Sequence, residues 1–539
     1  MNGAEPRRAS GLLLSLLSGC LLFLAFPPAD QGWLAFVALL PLLAAAIAAT
    51  PRAAAVYGLT CGAAFFSLLL HWLVGVMSRY GGLALAVAIP IFALLVIYLA
   101  AYLAAFAALV AAATARWGWR GLLLAPVFWV GLEILRGRLL TGFPWGLAGY
   151  SQWRNLLLLQ TTSLGGVYVP SFVVLLANTG LALLVLRPAV RPARAAAILL
   201  LCLAGAAHAW GYSILLSFDE RAAGGASMPA PIRVAAIQAN VAQTMKWRPG
   251  EEERIVDDLL EMTERAAREG ADLVVWPESS SPLSFYRPAL GPGGETAGVV
   301  IEPRREFLDR VTDSVRRGRF TLIAGSVDYR YEAERLRASN SAFVIGPDGR
   351  PGPSYDKVHL VPFGEYVPLG SALFFVDRMV QGAIAEFAPG RRLRPLPTPA
   401  GEAATFICYE AIFPELVRRL ARSAAFMVNI TNDAWFGRTA APRQHLAMAV
   451  FRAPENRLWL VRAANTGISA LVDPSGRVTA STPLEVQTVL SGSIEPRTGA
   501  TWYARAGDGF AWACAMLTLV SGAALRAAPP RPVPRGRAL

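Results

Sequence analysis

EAATFICYE at residues 402–410 and AAFMVNIT at residues 424–431 read as two buried β-strands, each running into a helical segment. Continuous apolar runs of this length suit parallel strands covered on both faces, and their alternation with helices predicts a layered α/β fold. The same alternation recurs upstream. IRVAAIQANV (232–241) reads as a strand, Ile255, Leu259, Met262 and Ala266 form one helical face behind the acidic residues 251–253, and ADLVVW (271–276) is the next buried strand. RREFLDRVTDSVRRG then suggests a second helix and TLIAGSVDY a strand. SAFVIGPDGR (341–350) and SALVDPSGR (469–477) read as hairpins whose turns carry Pro and Gly. The order is β-α-β-α-β-β, and the expected architecture is two sheets sandwiched between helices, an α-β-β-α arrangement. The Gly/Pro-rich stretch 285–303 and the apolar stretch 371–387 do not fit this alternation and are expected to form long loops or lids. Phe374 and Phe375 in the second are expected to hold the domain at a bilayer surface.

The α/β region is flanked by a different kind of sequence. The 539-residue chain is 55% hydrophobic, with a mean hydropathy of +0.43, too apolar for one soluble domain. Leu/Ala/Val/Phe-rich stretches near 11–26, 33–50, 54–76, 84–112, 121–136, 165–186, 195–216 and 509–528 predict an α-helical membrane bundle of about eight spans. Seven lie before the α/β region and one after it. Three parts follow: a bundle over 1–216, the α/β domain over 217–505, and a last span with a basic tail over 506–539. The first stretch, behind Arg7 and Arg8, has the look of a signal peptide, but the spans that follow argue against cleavage.

Arginines in the loops set the orientation. Arg7/Arg8, Arg52, Arg116/Arg120, Arg187/Arg191/Arg194 and Arg526/Arg531/Arg535/Arg537 fall on one side of an eight-span arrangement, and Arg79, Arg136, Arg138 and Arg154 on the other. Both termini are therefore expected in the cytoplasm, with the large domain in the periplasm if the cell has an outer membrane. The formal charge of +13 is no nucleic-acid footprint, because residues 217–505 hold 34 basic against 33 acidic residues and the excess lies in loops and tail.

Three segments carry reactive groups just past an apolar strand or turn: WPESS with Glu278, YDKVHLVPFGEYVP with Lys357 and Glu365, and ICYEAIFPE with Cys408, Tyr409 and Glu410. A thiol is a strong nucleophile once deprotonated, which a nearby carboxylate can do, while an ammonium can stabilise the thiolate and the oxyanion formed when it attacks a carbonyl. Lys246 and Lys357 are the only lysines beside 48 arginines, so a compact point charge is kept where Arg would not serve. Of five cysteines, Cys20, Cys61, Cys202 and Cys514 lie in apolar stretches and read as small buried hydrophobes; Cys408 alone belongs to the α/β region.

Taken jointly, WPES, K-x-H-L-V-P-F-G-E-Y-V-P, C-Y-E and N-x-T-N-D-A-W-F-G (429–437) with Gln444-His445-Leu446 resemble the nitrilase superfamily, whose Glu-Lys-Cys triad occurs in this order. With the apolar stretches before and after, nearly the whole chain resembles the apolipoprotein N-acyltransferase family. The resemblance implies Glu278 as general base, Lys357 as oxyanion stabiliser and Cys408 as nucleophile. It further implies that Glu365 orients the lysine, that Tyr409 and Glu410 flank the nucleophile, and that Trp247 is functionally important. The implied reaction passes an acyl chain from a membrane phospholipid, through a cysteine thioester, to the N-terminal amine of a diacylglyceryl-cysteine apolipoprotein at the bacterial inner membrane.

Rival readings are weaker. Asn429, Asn432 and Asp433 read first as turn formers and only second as substrate contacts, and Trp435 and Phe436 as packing anchors. His71, His208, His359 and His445 are scattered with no zinc spacing, so no metal or other cofactor is expected, and His359 does not make a cysteine protease. Glu133, an acid within an apolar stretch, is expected to pair with Arg136 one turn on. A membrane-tethered amidase acting on small C–N substrates is the main alternative, and a transporter with an accessory domain ranks last.

Overall fold

The computed structural model describes residues 5–223, 230–243, 245–246, 248, 250–283, 285, 305–332, 335–362, 364–366, 387–497 and 501–527. Trp247, Phe374, Phe375 and nearly all of the two expected loops lie outside these residues. The chain forms two compact units, one of residues 1–71, 89–217 and 506–539, the other of 72–88 and 218–505.

The first unit is helical. Among the described residues five helices are long and apolar enough to cross a membrane, Pro51–Leu70, Leu85–Arg136, Tyr168–Leu186, Arg191–Phe218 and Gly509–Ala527, beside the shorter apolar helices Arg8–Leu24, Gly32–Ile47 and Leu156–Gly165. Pro51 opens its helix where no N–H partner is needed, and the Thr50 hydroxyl caps it by accepting from Ala53 N at 3.3 Å. Leu13, Leu94, Ile97, Leu199, Leu519 and Val520 point outward from their helices, as lipid-facing side chains would. Cys20 and Cys202 share that outward placement, whereas Cys61 and Cys514 are buried, so the expectation of four buried thiols holds for two. Glu133 and Arg136 do lie one turn apart and buried, but their hydrogen bonds run elsewhere. Glu133 Oε1 accepts from Trp129 Nε1 at 2.8 Å and Ala148 N at 2.7 Å, while Arg136 donates to the carbonyl oxygens of Phe143, Trp145 and Gly146.

Among the described residues the second unit holds two six-stranded sheets. The first contains β1 (Ile232–Gln238), β2 (Leu273–Val275), β3 (Thr321–Glu332), β4 (Arg335–Ile345), β5 (Pro351–Asp356) and β12 (Thr488–Ile494), ordered β12-β1-β2-β3-β4-β5. The second contains β6 (Leu396–Thr398), β7 (Gly401–Ile407), β8 (Phe426–Thr431), β9 (Leu460–Ala464), β10 (Ala470–Val472) and β11 (Val478–Ser481), ordered β11-β10-β9-β8-β7-β6. Each sheet has three parallel strands, β1-β2-β3 and β7-β8-β9, with antiparallel strands at the edges. The continuous apolar runs of the sequence are these inner parallel strands: β2, β8 and β9 are buried along their whole length.

The sheets face each other, β1 against β9 and β4 against β7. Helix Glu252–Arg268 buries Ile255, Leu259, Met262 and Ala266, and with Phe307, Val311 and Val315 of helix Arg305–Gly318 packs on β1, β2 and β3. Helices Pro414–Ala421 and Ala441–Asn456 pack on β7 and β9 of the other sheet. This gives the expected helix-sheet-sheet-helix layering. Within the same unit, helix Trp72–Arg79 rests on the 3-10 turn Asp433–Phe436: Trp72 meets Phe436 and Tyr80 meets Trp435, both edge to face. Trp435 and Phe436 are thus packing anchors, as expected.

Candidate active site

In open parallel sheets the side of the strands' carboxyl ends is where polar groups gather, since the backbone there leaves the ladder while its origin stays fixed. Glu278 follows β2, Lys357 follows β5, Cys408 follows β7 and Asn432 follows β8. The structure brings all four together, with Glu365, in one buried cluster.

Glu278 is 5% exposed. Its Oε1 accepts from Asn340 Nδ2 at 2.6 Å and Lys357 Nζ at 3.2 Å, its Oε2 accepts from Asn432 N at 2.7 Å, and the buried Cys408 thiol lies near enough to interact with its charge. Gly325 makes room for this carboxylate's backbone, because a Cβ there would lie 2.3 Å from Pro277 O and 2.7 Å from Glu278 Cα. Lys357 Nζ donates also to Glu365 Oε1 at 2.9 Å, and Glu365 Oε2 accepts from Val361 N at 2.8 Å.

Burial alone would favour neutral forms throughout this cluster, yet the charges compensate one another. Burial works to raise the Glu278 carboxyl, but the Lys357 ammonium and the hydrogen bonds from Asn340 and Lys357 bring it below its ordinary value. Burial works to lower Lys357, but the carboxylates of Glu278 and Glu365 hold it well above the usual lysine range. The Cys408 thiol is pushed up, by burial first and Glu278 second, against the pull of Lys357. The resting site is therefore a neutral thiol beside an ionised carboxylate and an ammonium. Such an arrangement holds a proton acceptor ready for the moment the sulfur attacks.

Cys408 begins a 3-10 turn, Cys408–Ile412, with φ of +50°, a left-handed conformation that costs a non-glycine residue about 1–3 kcal/mol. Glu410 ties this turn to the lysine loop. Its Oε2 accepts from Ile407 N at 2.7 Å; its Oε1 accepts from Val358 N at 2.7 Å, His359 N at 3.1 Å and Tyr355 OH at 2.9 Å. Burial pushes its carboxyl up to about 7, opposed by those backbone donors. The Tyr409 ring meets Phe413 edge to face and lies beside His359. His359 also packs on Phe413, and burial and then Lys357 lower it to about 4, so the ring is neutral.

Sequence reasoning missed Asn340. It donates to Glu278 and, at 3.0 Å, to Glu365, and its own carbonyl accepts from Lys357 N at 2.8 Å. Its only signal was an amide in a strand, where Asn is disfavoured. Arg462, wholly buried in β9, was missed as well: a lone Arg in the apolar run LVRAA is the signal. Asn429, Asn432 and Asp433 are all turn or framework groups, but Asn432 also reaches the site through its backbone N–H. Lys246 is buried near Glu278 and is lowered to about 8, by burial against the pull of that carboxylate.

Residues 233–504 match the carbon-nitrogen hydrolase family model, and residues 18–180 match that of the apolipoprotein N-acyltransferase N-terminal domain. A curated apolipoprotein N-acyltransferase of Geobacter metallireducens is 40% identical over 97% of this chain and 96% of its own. One of Azotobacter vinelandii is 34% identical over 92% of this chain and 91% of its own. A solved carbon-nitrogen hydrolase of Helicobacter pylori aligns with 49% of this chain and 89% of its own, at 19% identity and a TM-score of 0.37.

Proposed function

The chain belongs to the apolipoprotein N-acyltransferase family, and on that premise we propose that Cys408, Glu278 and Lys357 carry its lipoprotein N-acylation by a two-step thioester mechanism. The observation that carries this reading is the buried cluster in which a Glu278 carboxylate, bonded to Lys357 Nζ at 3.2 Å, lies beside the Cys408 thiol.

Glu278 takes the thiol proton as the Cys408 sulfur attacks an ester carbonyl of a membrane phospholipid. The oxyanion of the tetrahedral intermediate is stabilised by Lys357 Nζ–H and the Tyr409 backbone N–H, a type of stabilisation worth several kcal/mol. When the intermediate collapses, the C–O bond breaks and the leaving alkoxide takes the proton from Glu278, so a lysophospholipid departs and a thioester remains. The N-terminal amine of a diacylglyceryl-cysteine apolipoprotein then attacks the thioester carbonyl and gives its proton to Glu278. The C–S bond breaks, the sulfur recovers the proton, and an amide is released.

Glu365 keeps Lys357 aimed, and Glu410 fixes the Lys357 loop to the Cys408 turn. The reading takes about eight crossings, with both termini in the cytoplasm and residues 217–505 in the periplasm, where lipoproteins are finished. Arginine asymmetry between the loops supports that orientation.

The test is mass spectrometry of the full chain incubated with phospholipid micelles. An acyl group on Cys408 with stoichiometric lysophospholipid is expected. Hydrolysis of small amides without acyl-Cys408 would replace this reading with that of a tethered amidase.

A further inference from the structure

The sequence motif N-x-T-N-D-A-W-F-G with Gln444-His445-Leu446 is not used up by the three reacting groups. Its acid and its histidine meet directly behind the nucleophile. The carbonyl oxygen of Cys408 lies 3.1 Å from His445 Nε2. A carbonyl only accepts, so Nε2 carries the proton and donates. The other ring nitrogen, Nδ1, stands 3.0 Å from Asp433 Oδ1 and 3.1 Å from Arg462 Nη2. Arg462 in turn donates to Asp433 Oδ2 at 2.9 Å, to Asn429 Oδ1 and to Ile468 O at 3.2 Å. All three residues are 1% exposed or less. The ring, carried by helix Ala441–Asn456, is thus held between the Cys408 carbonyl that follows β7 and Arg462 of β9.

A peptide unit is planar and trans, so its C=O and the next residue's N–H point in opposite directions and cannot turn independently. Whatever holds the Cys408 carbonyl also aims the Tyr409 N–H. That N–H lies at the start of the 3-10 turn Cys408–Ile412, among the positions that have no partner within their own helix. The strained φ of Cys408 makes an external restraint on this peptide necessary. We infer that His445 is a positioning residue: by gripping the Cys408 carbonyl it aims the Tyr409 N–H at the oxyanion, with Arg462 donating to the ring's Nδ1 and Asp433 holding Arg462 in place. The inference rests on the thioester reading above and names a residue that reading does not need.

Two reactions of the same sulfur separate this role from general support of the fold. Acylation by a phospholipid passes through an oxyanion. Alkylation by iodoacetamide, in which the sulfur displaces iodide from a saturated carbon, does not. In full-length protein in detergent micelles with dioleoylphosphatidylethanolamine, His445→Leu is expected to slow Cys408 acylation about 100-fold while alkylation changes less than about twofold. His445→Gln, whose side-chain N–H reaches where Nε2 stands, is expected to recover a large part of the acylation rate. Equal losses of acylation and alkylation in both variants, or unchanged acylation in His445→Leu, would overturn the inference. Acyl transfer persisting in Cys408→Ala would overturn the thioester reading itself, and this inference with it.

Discussion

Asn340 Nδ2, on β4 of the sheet whose β2 leads into Glu278, stands 2.6 Å from Glu278 Oε1. Because the same amide also donates to Glu365, Asn340 and Lys357 together offset two neighbouring buried carboxylates with a single full charge.

Removing that donor should raise the Glu278 pKa, because a hydrogen bond to the ionised form is lost. Asn340→Leu is therefore expected to move the acid limb of the acylation rate to higher pH. Asn340→Asp, which adds a third carboxylate, should move it further. The pH dependence of lysophospholipid release in a single turnover measures both, and an unmoved limb in Asn340→Asp would show that Glu278 is not the titrating base.

Glu278→Gln should slow thioester formation by about 10²–10⁴-fold, the usual contribution of a positioned general base. Cys408→Ala should abolish acyl-enzyme while the protein still inserts. Since the thiol of the native protein is held above its ordinary range, the rate gained from Glu278 cannot be replaced by a standing population of thiolate. The measurement is the rise of acyl-Cys408 by mass spectrometry, with membrane insertion checked separately.

Glu410 is expected to matter through geometry. Four donors converge on its two oxygens, and Glu410→Gln turns one acceptor into an NH₂ group facing donors. Leaving buried N–H groups unpaired costs about 1–3 kcal/mol, so the thermal midpoint in detergent should fall. Acylation should fall too, because the Lys357 loop loses its tie to the Cys408 turn. A Glu410→Gln protein with native midpoint and rate would remove Glu410 from the machinery.

The parts legible in the sequence are those where a rule of spacing or of strand ends applies. Glu278 and Cys408 each follow an apolar run and Lys357 follows a hairpin strand past a Pro/Gly turn, so they announced themselves, and the parallel cores of both sheets read directly from unbroken hydrophobicity. Asn340 did not, because its partners come from 62 and 25 residues away and nothing local marks the meeting. His445 was set aside for lack of a metal or protease spacing, when its actual partners are a backbone carbonyl and a buried Asp-Arg pair. The apolar stretches were legible as helices, but composition does not say where one ends: residues 33–50 hold a 3-10 turn and a short helix, and Leu85–Arg136 runs through two predicted stretches.

Asp433 and Arg462 form a buried ion pair whose loss should be felt in stability before chemistry. Burial tends to raise the Asp433 carboxyl, but Arg462 and then His445 outweigh it and bring it to about 2. Its unfolded value is about 3.9, so the shift corresponds to roughly 2–3 kcal/mol of stability. The sign follows from the depressed value: this stability is fully present above about pH 4 and is lost as pH falls toward about 2. Asp433→Asn leaves the Arg462 charge buried without its counter-charge, which typically costs about 3–5 kcal/mol. Asp433→Asn with Arg462→Met removes both charges and should recover part of that loss. Thermal midpoints of the native and Asp433→Asn proteins should therefore lie far apart at neutral pH and converge as the solution is acidified below about pH 4. A gap that stayed constant through that window would mean that the carboxylate's charge is not what holds this network, and that shape alone keeps His445 against the Cys408 carbonyl.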